Sequence, residues 1–210
     1  MKYKLLCLLL ALMMLLSACA DSSSHRRHRK DDDDEETTAP MLVQTIEFER
    51  VYADSEEYAV ITALDADGET IWQHETDCYA VAQLDSVTEI GMWNDRFYYT
   101  EGGKIVALNR ETGEMLWENE DFSGYPAGKD ACLILDDGTI VATGFFSPDL
   151  AVVDKDGETL KYLATFDEDI YWPYEVKMED GMVVITFEHG PDESEEFKLT
   201  VDPETWEVAE

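Results

Sequence analysis

A strand–turn–strand unit recurs four times in the chain, and this repeat constrains the fold more than any other feature of the sequence. The copies align on one apolar residue each, at spacings of 44, 45 and 48 residues: Leu64, Leu108, Val153 and Val201. A repeat of nearly constant length builds the same structural unit each time, and such a unit buries its hydrophobic surface against its neighbours. The sequence therefore predicts an array of four similar units.

Each unit has the pattern of about four short antiparallel strands. In the second repeat, Lys104–Asn109 alternates between polar and apolar residues, Glu111–Gly113 supplies a turn, and Glu114–Trp117 returns. A further hairpin precedes this element in the last three repeats. Its predicted strands are Glu89–Trp93 with Arg96–Thr100, Ala131–Leu135 with Thr139–Thr143, and Tyr174–Met178 with Met182–Phe187.

Four-stranded units with a period of about 40 to 50 residues are typical of β-propeller blades. We therefore expect an all-β fold: a four-repeat β-propeller-like domain of about four antiparallel strands per blade, after a signal peptide and a disordered linker. The domain spans residues 41–210, with repeats at approximately 43–78, 79–120, 121–165 and 166–210. No segment outside the leader has the pattern of a helix.

The second repeat carries the pattern Ala107-x-Asn109-x-x-Thr112-Gly113-x-x-x-Trp117. It resembles the PQQ-like, or quinoprotein-like, β-propeller repeat, a family that includes BamB-like lipoproteins. The resemblance covers roughly residues 58 to 208 and implies a structural signature of Trp72, Gly113 and Trp117, in which the glycine makes the turn and the tryptophan packs between blades. The third copy has Lys161 in place of the tryptophan, and the fourth has Pro203 and Glu204 in place of the glycine.

Members of this family usually close a ring of seven or eight blades, whereas this chain has length for four. A small closed ring, an open arc and a ring completed by a second molecule all remain open at this point. Degenerate end repeats favour a self-contained array that caps its own edges.

The N-terminus has the order of a bacterial lipoprotein leader. Two lysines precede an apolar run, Leu5–Leu16, that is too short to span a bilayer, and Leu16–Cys19 resembles a lipobox. We expect residues 1–18 to be a signal peptide and Cys19 to be the lipid attachment site, since two acyl chains such as palmitate give lasting attachment. The alternative is an ordinary secretory leader. The lipobox predicts a chain anchored to the bacterial cell membrane, with its domain on the extracytoplasmic side.

The charge of the chain limits its partners. Residues 19–40 form the lipidated N-terminus and a charged linker with no apolar cluster, which predicts disorder. From Met41 onward, 9 basic residues face 41 acidic ones, so the folded part has a net charge near −32. Such a surface repels nucleic acid and favours cationic partners.

Motifs of catalysis are missing from the sequence. The adjacent cysteines and calcium site of quinoprotein dehydrogenases are not visible, so we expect no quinone cofactor, no metal and no enzymatic activity. Asp65-x-Asp67-Gly68 and Asp154-x-Asp156-Gly157 contain half of a calcium loop, and we interpret them as β-turns. Cys78 and Cys132 would remain after processing, either as a disulfide or as small buried side chains.

The sequence favours a non-catalytic binding or scaffold domain that binds a protein or carbohydrate partner. Candidate partner-binding aromatics are Tyr171, Trp172 and Tyr174, at the entry to the last repeat, although such residues also fill gaps between blades. The alternative is a surface hydrolase or carbohydrate-active enzyme that uses two acidic residues in a cleft on one propeller face, lined by Tyr171 or Trp172.

Overall fold

The computed structural model describes residues 42–53, 56–77, 79–80, 87–122, 124–126, 128–144, 150–163, 173–188 and 196–209. Their strands form four antiparallel sheets, and no α-helix occurs among the described residues. The predicted fold class, an all-β and propeller-like array of four repeats, is confirmed. Each sheet is built from strands that follow one another in the chain, as expected when every repeat forms its own blade.

The strands are divided among the four sheets in chain order. The first sheet contains β1 (Thr45–Ala53), β2 (Glu56–Leu64), β3 (Thr70–Glu75) and β4 (Tyr79–Ala80). The second contains β5 (Val87–Trp93), β6 (Arg96–Glu101), β7 (Lys104–Asn109) and β8 (Met115–Asn119). The third contains β9 (Cys132–Ile134), β10 (Ile140–Thr143), β11 (Leu150–Val153) and β12 (Thr159–Leu163), and the fourth contains β13 (Pro173–Glu179), β14 (Met182–Glu188) and β15 (Glu196–Val201). A single 3-10 turn, Lys129–Ala131, precedes β9 in the described part of the chain.

Tight turns set the register of the hairpins. Asp180 and Gly181 connect β13 to β14 with φ angles of 50° and 83°, and Gly102 and Gly103 connect β6 to β7 with φ angles of 55° and 84°. Positive φ at both central residues is the geometry of two-residue hairpin turns whose twist matches that of the strands. The two turns pair Glu179 with Met182 in one hairpin and Glu101 with Lys104 in the other.

Hydrophobic clusters join each sheet to the next. We call these contacts the first, second and third seams. Large members of the first seam are Ile61, Phe97, Tyr99, Leu108 and Phe48; of the second, Tyr98, Ile105, Phe122, Ile140 and Val153; of the third, Leu150, Val152, Ile185, Phe187 and Val201. The described residues show no such cluster between the first and fourth sheets.

The inner and outer sheets differ in how they are buried. Most residues of β6, β7, β10 and β11 are buried on both faces of their sheets. In β1, by contrast, half-buried and exposed residues alternate over much of the strand, as in a sheet that meets water on one face. In the fourth sheet, Lys177 forms ion pairs with Glu175 and Glu179 along one face of β13. The two end sheets therefore present polar outer faces.

Three tryptophans connect consecutive sheets by one shared contact. The indole nitrogen of Trp72 in β3 donates a hydrogen bond to the carbonyl of Arg110 (2.8 Å), in the β7–β8 turn of the next sheet. The indole nitrogen of Trp117 in β8 donates a hydrogen bond to the carbonyl of Lys155 (3.0 Å), in the β11–β12 turn of the third sheet. Trp93 at the end of β5 donates to Asp136 (3.0 Å), in the β9–β10 turn.

Each of these indole rings lies flat against a glycine. A Cβ atom on Gly113 would lie 2.7 Å from Trp72, and one on Gly157 would lie 2.8 Å from Trp117. A Cβ atom on Gly138 would lie 2.8 Å from the ring of Trp93. Because real Cβ atoms do not approach other carbons so closely, only glycine fits under the rings. We call this combination of a ring on glycine and an indole hydrogen bond the indole lock.

The third seam departs from this pattern on both sides. Lys161 pairs with Val152, at the register position that Trp117 occupies opposite Ala107. In the fourth sheet the turn after β15 has no glycine, and Trp206 itself adopts a positive φ of 56° there. Trp206 packs against the cluster of the third seam. An indole is thus present at this seam, but it comes from the fourth sheet rather than from the third.

We predict that Gly113→Ala lowers the free energy of unfolding by about 2 kcal/mol more than Gly68→Ala does. Both glycines lie in turns with similar positive φ, 72° and 80°, so the backbone strain of an alanine is matched. A Cβ atom on Gly68 meets nothing within 4 Å, whereas one on Gly113 collides with Trp72. Urea denaturation of both variants measures the difference, and equal losses would contradict the indole lock.

Candidate functional site

The residues predicted to bind a partner are only partly described. Cys19, Tyr171 and Trp172 lie outside the described residues. Tyr174 lies in β13, where the register with β14 shifts between Pro173 and Glu175, and its side chain is half-buried. Tyr174 therefore remains a candidate on the fourth sheet, with its surroundings at residues 171 and 172 undescribed.

A cleft of about 240 Å³ opens at the first seam. Its walls come from β1, from β5 and from the segment that leads into the 3-10 turn before β9. The lining residues are Phe48, Arg50, Thr88, Glu89, Gly128 and Lys129. None of them was identified from the sequence, because they come from three separate repeats and carry no common motif.

Charged groups in the cleft are paired with one another. Lys129 Nζ lies 2.6 Å from Glu89 Oε1, and Arg50 Nη1 lies 3.7 Å from Glu57 Oε1. Glu57 is only 1% exposed, so the Arg50 guanidinium offsets the cost of burying its charge. The Thr88 hydroxyl is different: its oxygen is buried and has no hydrogen-bond partner among the described residues. The cleft thus combines balanced charges with one unsatisfied hydroxyl.

A second group of titratable side chains lies at the same seam. His74 Nε2 lies 3.1 Å from the Tyr99 hydroxyl, and burial lowers the pKa of His74 while the nearby Asp77 carboxylate raises it. Burial also raises the pKa of Glu101, with a further contribution from Asp77 and an opposing one from Lys104. A carboxyl of raised pKa beside a second carboxylate has the character of a general acid. However, Glu101 is only 6% exposed and so is not presented to a substrate.

Two motifs with calcium-loop character are used to close turns. Asp65 Oδ1 accepts hydrogen bonds from the backbone nitrogens of Asp67 (2.9 Å) and Glu69 (2.8 Å). In the third sheet, Asp154 Oδ1 likewise accepts hydrogen bonds from the backbone nitrogens of Asp156 and Glu158. Such bonds are the usual way in which an aspartate stabilises a turn. The structure thus accounts for these aspartates as turn residues.

Cys132 is a buried free thiol in the second-seam cluster, and burial raises the pKa of its thiol to about 12. A thiol of such high pKa is inert toward oxidation and exchange at neutral pH. Its position fits the interpretation as a small buried side chain. Cys78, the other member of the predicted pair, lies outside the described residues.

Residues 35–136 match the family model described as "Outer membrane protein assembly factor BamB", which covers just under half of the chain. The match confirms the resemblance identified in the sequence: the chain carries PQQ-like β-propeller repeats. A comparison with curated proteins finds no match.

Solved structures that align with the chain share little sequence with it. BamB from Moraxella catarrhalis is 18% identical with a TM-score of 0.41, and the alignment covers 67% of this chain and 39% of that protein. Quinohemoprotein alcohol dehydrogenase from Comamonas testosteroni is 13% identical with a TM-score of 0.49, covering 81% of this chain and 35% of that enzyme. Streptogramin B lyase is 13% identical with a TM-score of 0.43, covering 81% and 70%. The chain thus spans about two fifths of the length of the BamB that it matches.

No helix in the described part of the chain is long and apolar enough to cross a membrane.

We predict that Glu101→Gln raises the free energy of unfolding at pH 7.5 more than at pH 4.5. The pKa of Glu101 is raised above its ordinary value of 4.5 in the folded state. Folding therefore favours the protonated carboxyl, and the stability that this group contributes is present below pH 4.5 and is lost as the pH rises through the folded pKa. Glutamine keeps the shape without the charge. Urea denaturation at both pH values measures the effect, with Glu114→Gln, an exposed turn position, as the control.

A Glu101→Gln variant whose stability changes equally at the two pH values would contradict the burial of a charged carboxyl at this seam.

Proposed function

We propose that the protein is a membrane-anchored lipoprotein whose β-propeller-like domain serves as a non-catalytic binding or scaffold module. The observation that carries this proposal is the match of residues 35–136 to a family named for an assembly factor of outer membrane proteins. A scaffold needs an extended surface, and the array of consecutive sheets supplies one.

The charge of the domain supports a cationic partner. From Met41 onward there are 41 acidic residues and 9 basic ones. Ion pairs with neighbouring carboxylates engage six of the basic residues: Arg50, Arg96, Lys104, Lys129, Lys155 and Lys177. These internal pairs leave a large excess of carboxylates toward solvent. A surface of one sign attracts partners of the opposite sign and speeds their association.

The membrane anchor rests on the sequence around Cys19. The small residues before the cysteine and the short apolar run before them support cleavage and lipidation at this position. The charged segment from residue 20 to residue 40 would then act as a tether between the lipid and the domain. An anchored module of this kind holds its partner close to the membrane surface.

The alternative function, a surface hydrolase or carbohydrate-active enzyme, requires two carboxylates across an open cleft. Among the six residues that line the first-seam cleft, Glu89 is the one carboxylate, and it is held by Lys129. The features of this cleft therefore support binding more than hydrolysis.

We predict that cells grown with labelled palmitate incorporate the label into the wild-type chain and that Cys19→Ala abolishes this incorporation. The thioether of Cys19 is the attachment point that the lipobox implies, so its removal leaves no acceptor. Cys78→Ala is the matched control and retains the label. Label that persists in Cys19→Ala would contradict the anchor.

We also predict that the full chain, solubilised from membranes in a mild nonionic detergent, migrates on native gels within a complex larger than the chain itself. High salt should dissociate the complex, because the partner is attracted by charge. Migration as the chain alone at low salt would contradict the scaffold role.

A further inference from the structure

Among the described residues, the first sheet has no counterpart of one strand that the other three sheets possess. In every sheet the repeated apolar residue pairs with the strand before it: Val153 with Ile140 of β10, Val201 with Val183 of β14, and Leu108 with Phe97 of β6. In the first sheet, Leu64 pairs with Thr45 of β1. β1 is therefore the counterpart of β6, β10 and β14.

Each of those three strands has a neighbour on its other side. β5 pairs with β6, β9 with β10, and β13 with β14, and we call these neighbours the first strands. β1 lies at the edge of its sheet, where no described strand pairs with its other side. The position of a first strand in the first sheet is consequently vacant among the described residues.

First strands of neighbouring sheets pack against each other. A Cβ atom on Gly91 of β5 would lie 3.4 Å from Ile134 Cδ1 of β9, so the two strands are in van der Waals contact across the second seam. A first strand added beside β1 would meet β5 in the same way. The cleft of about 240 Å³ opens at this place, between Phe48 of β1 and Thr88 of β5.

One residue that lines the cleft carries a buried hydroxyl without a partner. Thr88 is 4% exposed, and its hydroxyl oxygen has no hydrogen-bond partner among the described residues. An unsatisfied buried hydroxyl destabilises the fold, and a peptide group that reaches it after a small shift of the Thr88 side chain would supply a donor and an acceptor. The edge strand and the cleft are two independent signs of the same vacant position.

Side chains of β1 define what kind of strand fits. Glu47 and Glu49 are exposed on the outer face, whereas Ile46 and Phe48 point to the first seam and pack on its cluster. Cross-strand neighbours of opposite charge stabilise a sheet, and apolar neighbours do so on the buried face. A strand beside β1 is therefore favoured when basic and apolar residues alternate along it.

We propose that β1 is an acceptor edge for a β-strand of a partner protein in which basic and apolar residues alternate. The added strand completes the first sheet, places its apolar side chains over the first seam and its basic side chains beside Glu47 and Glu49. Binding by addition of a strand to an exposed edge is an established mode of peptide recognition. This inference rests on the proposed binding function and names the partner's chemistry.

The test uses the full chain in nonionic detergent and two peptides of the same composition. The first is acetyl-Lys-Val-Lys-Val-Lys-Val-Lys-amide, and the second has its four lysines followed by its three valines. We expect the alternating peptide to bind at least tenfold more tightly by calorimetry, because only its pattern matches both faces of β1. We also expect it to slow amide hydrogen exchange in Thr45–Ala53.

Charge reversal locates the binding site. Glu47→Lys with Glu49→Lys should weaken binding of the alternating peptide about tenfold and favour a peptide with glutamate in place of lysine. The matched control is Glu158→Lys with Glu207→Lys, which changes the net charge equally at exposed turns of other sheets. This control should leave the order preference and the exchange protection of β1 unchanged.

Three outcomes would overturn the inference: equal binding of the two peptides, equal weakening by both pairs of charge reversals, or pairing of two copies of the chain through β1 that the peptide does not displace. In each case the complex seen on native gels is the separate readout for the scaffold role. If the complex is still seen on native gels, the partner binds another surface of the domain. If no complex is seen, the proposed function itself is overturned.

Discussion

The structure depends on the contact of an indole with a glycine turn of the next sheet. In the three indole locks the ring covers the glycine and the indole nitrogen bonds to a carbonyl of the same turn, so one side chain fixes both distance and orientation. Glycine is required for two reasons, since the turn needs a positive φ and the ring leaves no room for a Cβ atom. Apolar burial along the seams stabilises the array, but such burial is non-directional. The locks specify how the second sheet is placed on the first and the third on the second.

The repeat explains why much of this fold could be predicted. Period and alternation located the hairpins to within a few residues: the predicted strands Arg96–Thr100 and Met182–Phe187 are Arg96–Glu101 and Met182–Glu188 in the structure. The lock of Trp93 on Gly138 was not predicted, because Trp93 lies outside the aligned unit. Its signal was nevertheless present as a tryptophan 43 residues before the carbonyl of Asp136, close to the repeat period.

The candidate site was beyond sequence reasoning for a physical reason. Its walls come from Phe48, Thr88 and Lys129, whose proximity depends on how three sheets meet. That no described strand pairs with the outer side of β1 is also invisible in the sequence, because β1 has the same alternating pattern as a strand with two neighbours. Only the pairing of Leu64 with Thr45 assigns β1 to the second position of its sheet. The exposed edge of β1 beside this cleft is the surface that we propose for a partner.

The most direct test of this account is the hydrogen exchange of the five tryptophan indole N–H groups, followed by nuclear magnetic resonance in the wild type and in Gly113→Ala. An indole N–H that is hydrogen-bonded in the fold exchanges slowly, because the bond must open before the hydrogen is replaced. We expect slow exchange for Trp72, Trp93 and Trp117, and selective loss of the protection of Trp72 in the variant. Exchange of these three indoles as fast as that of a free peptide, or equal loss at all three in Gly113→Ala, would show that separate indole locks do not hold the sheets together.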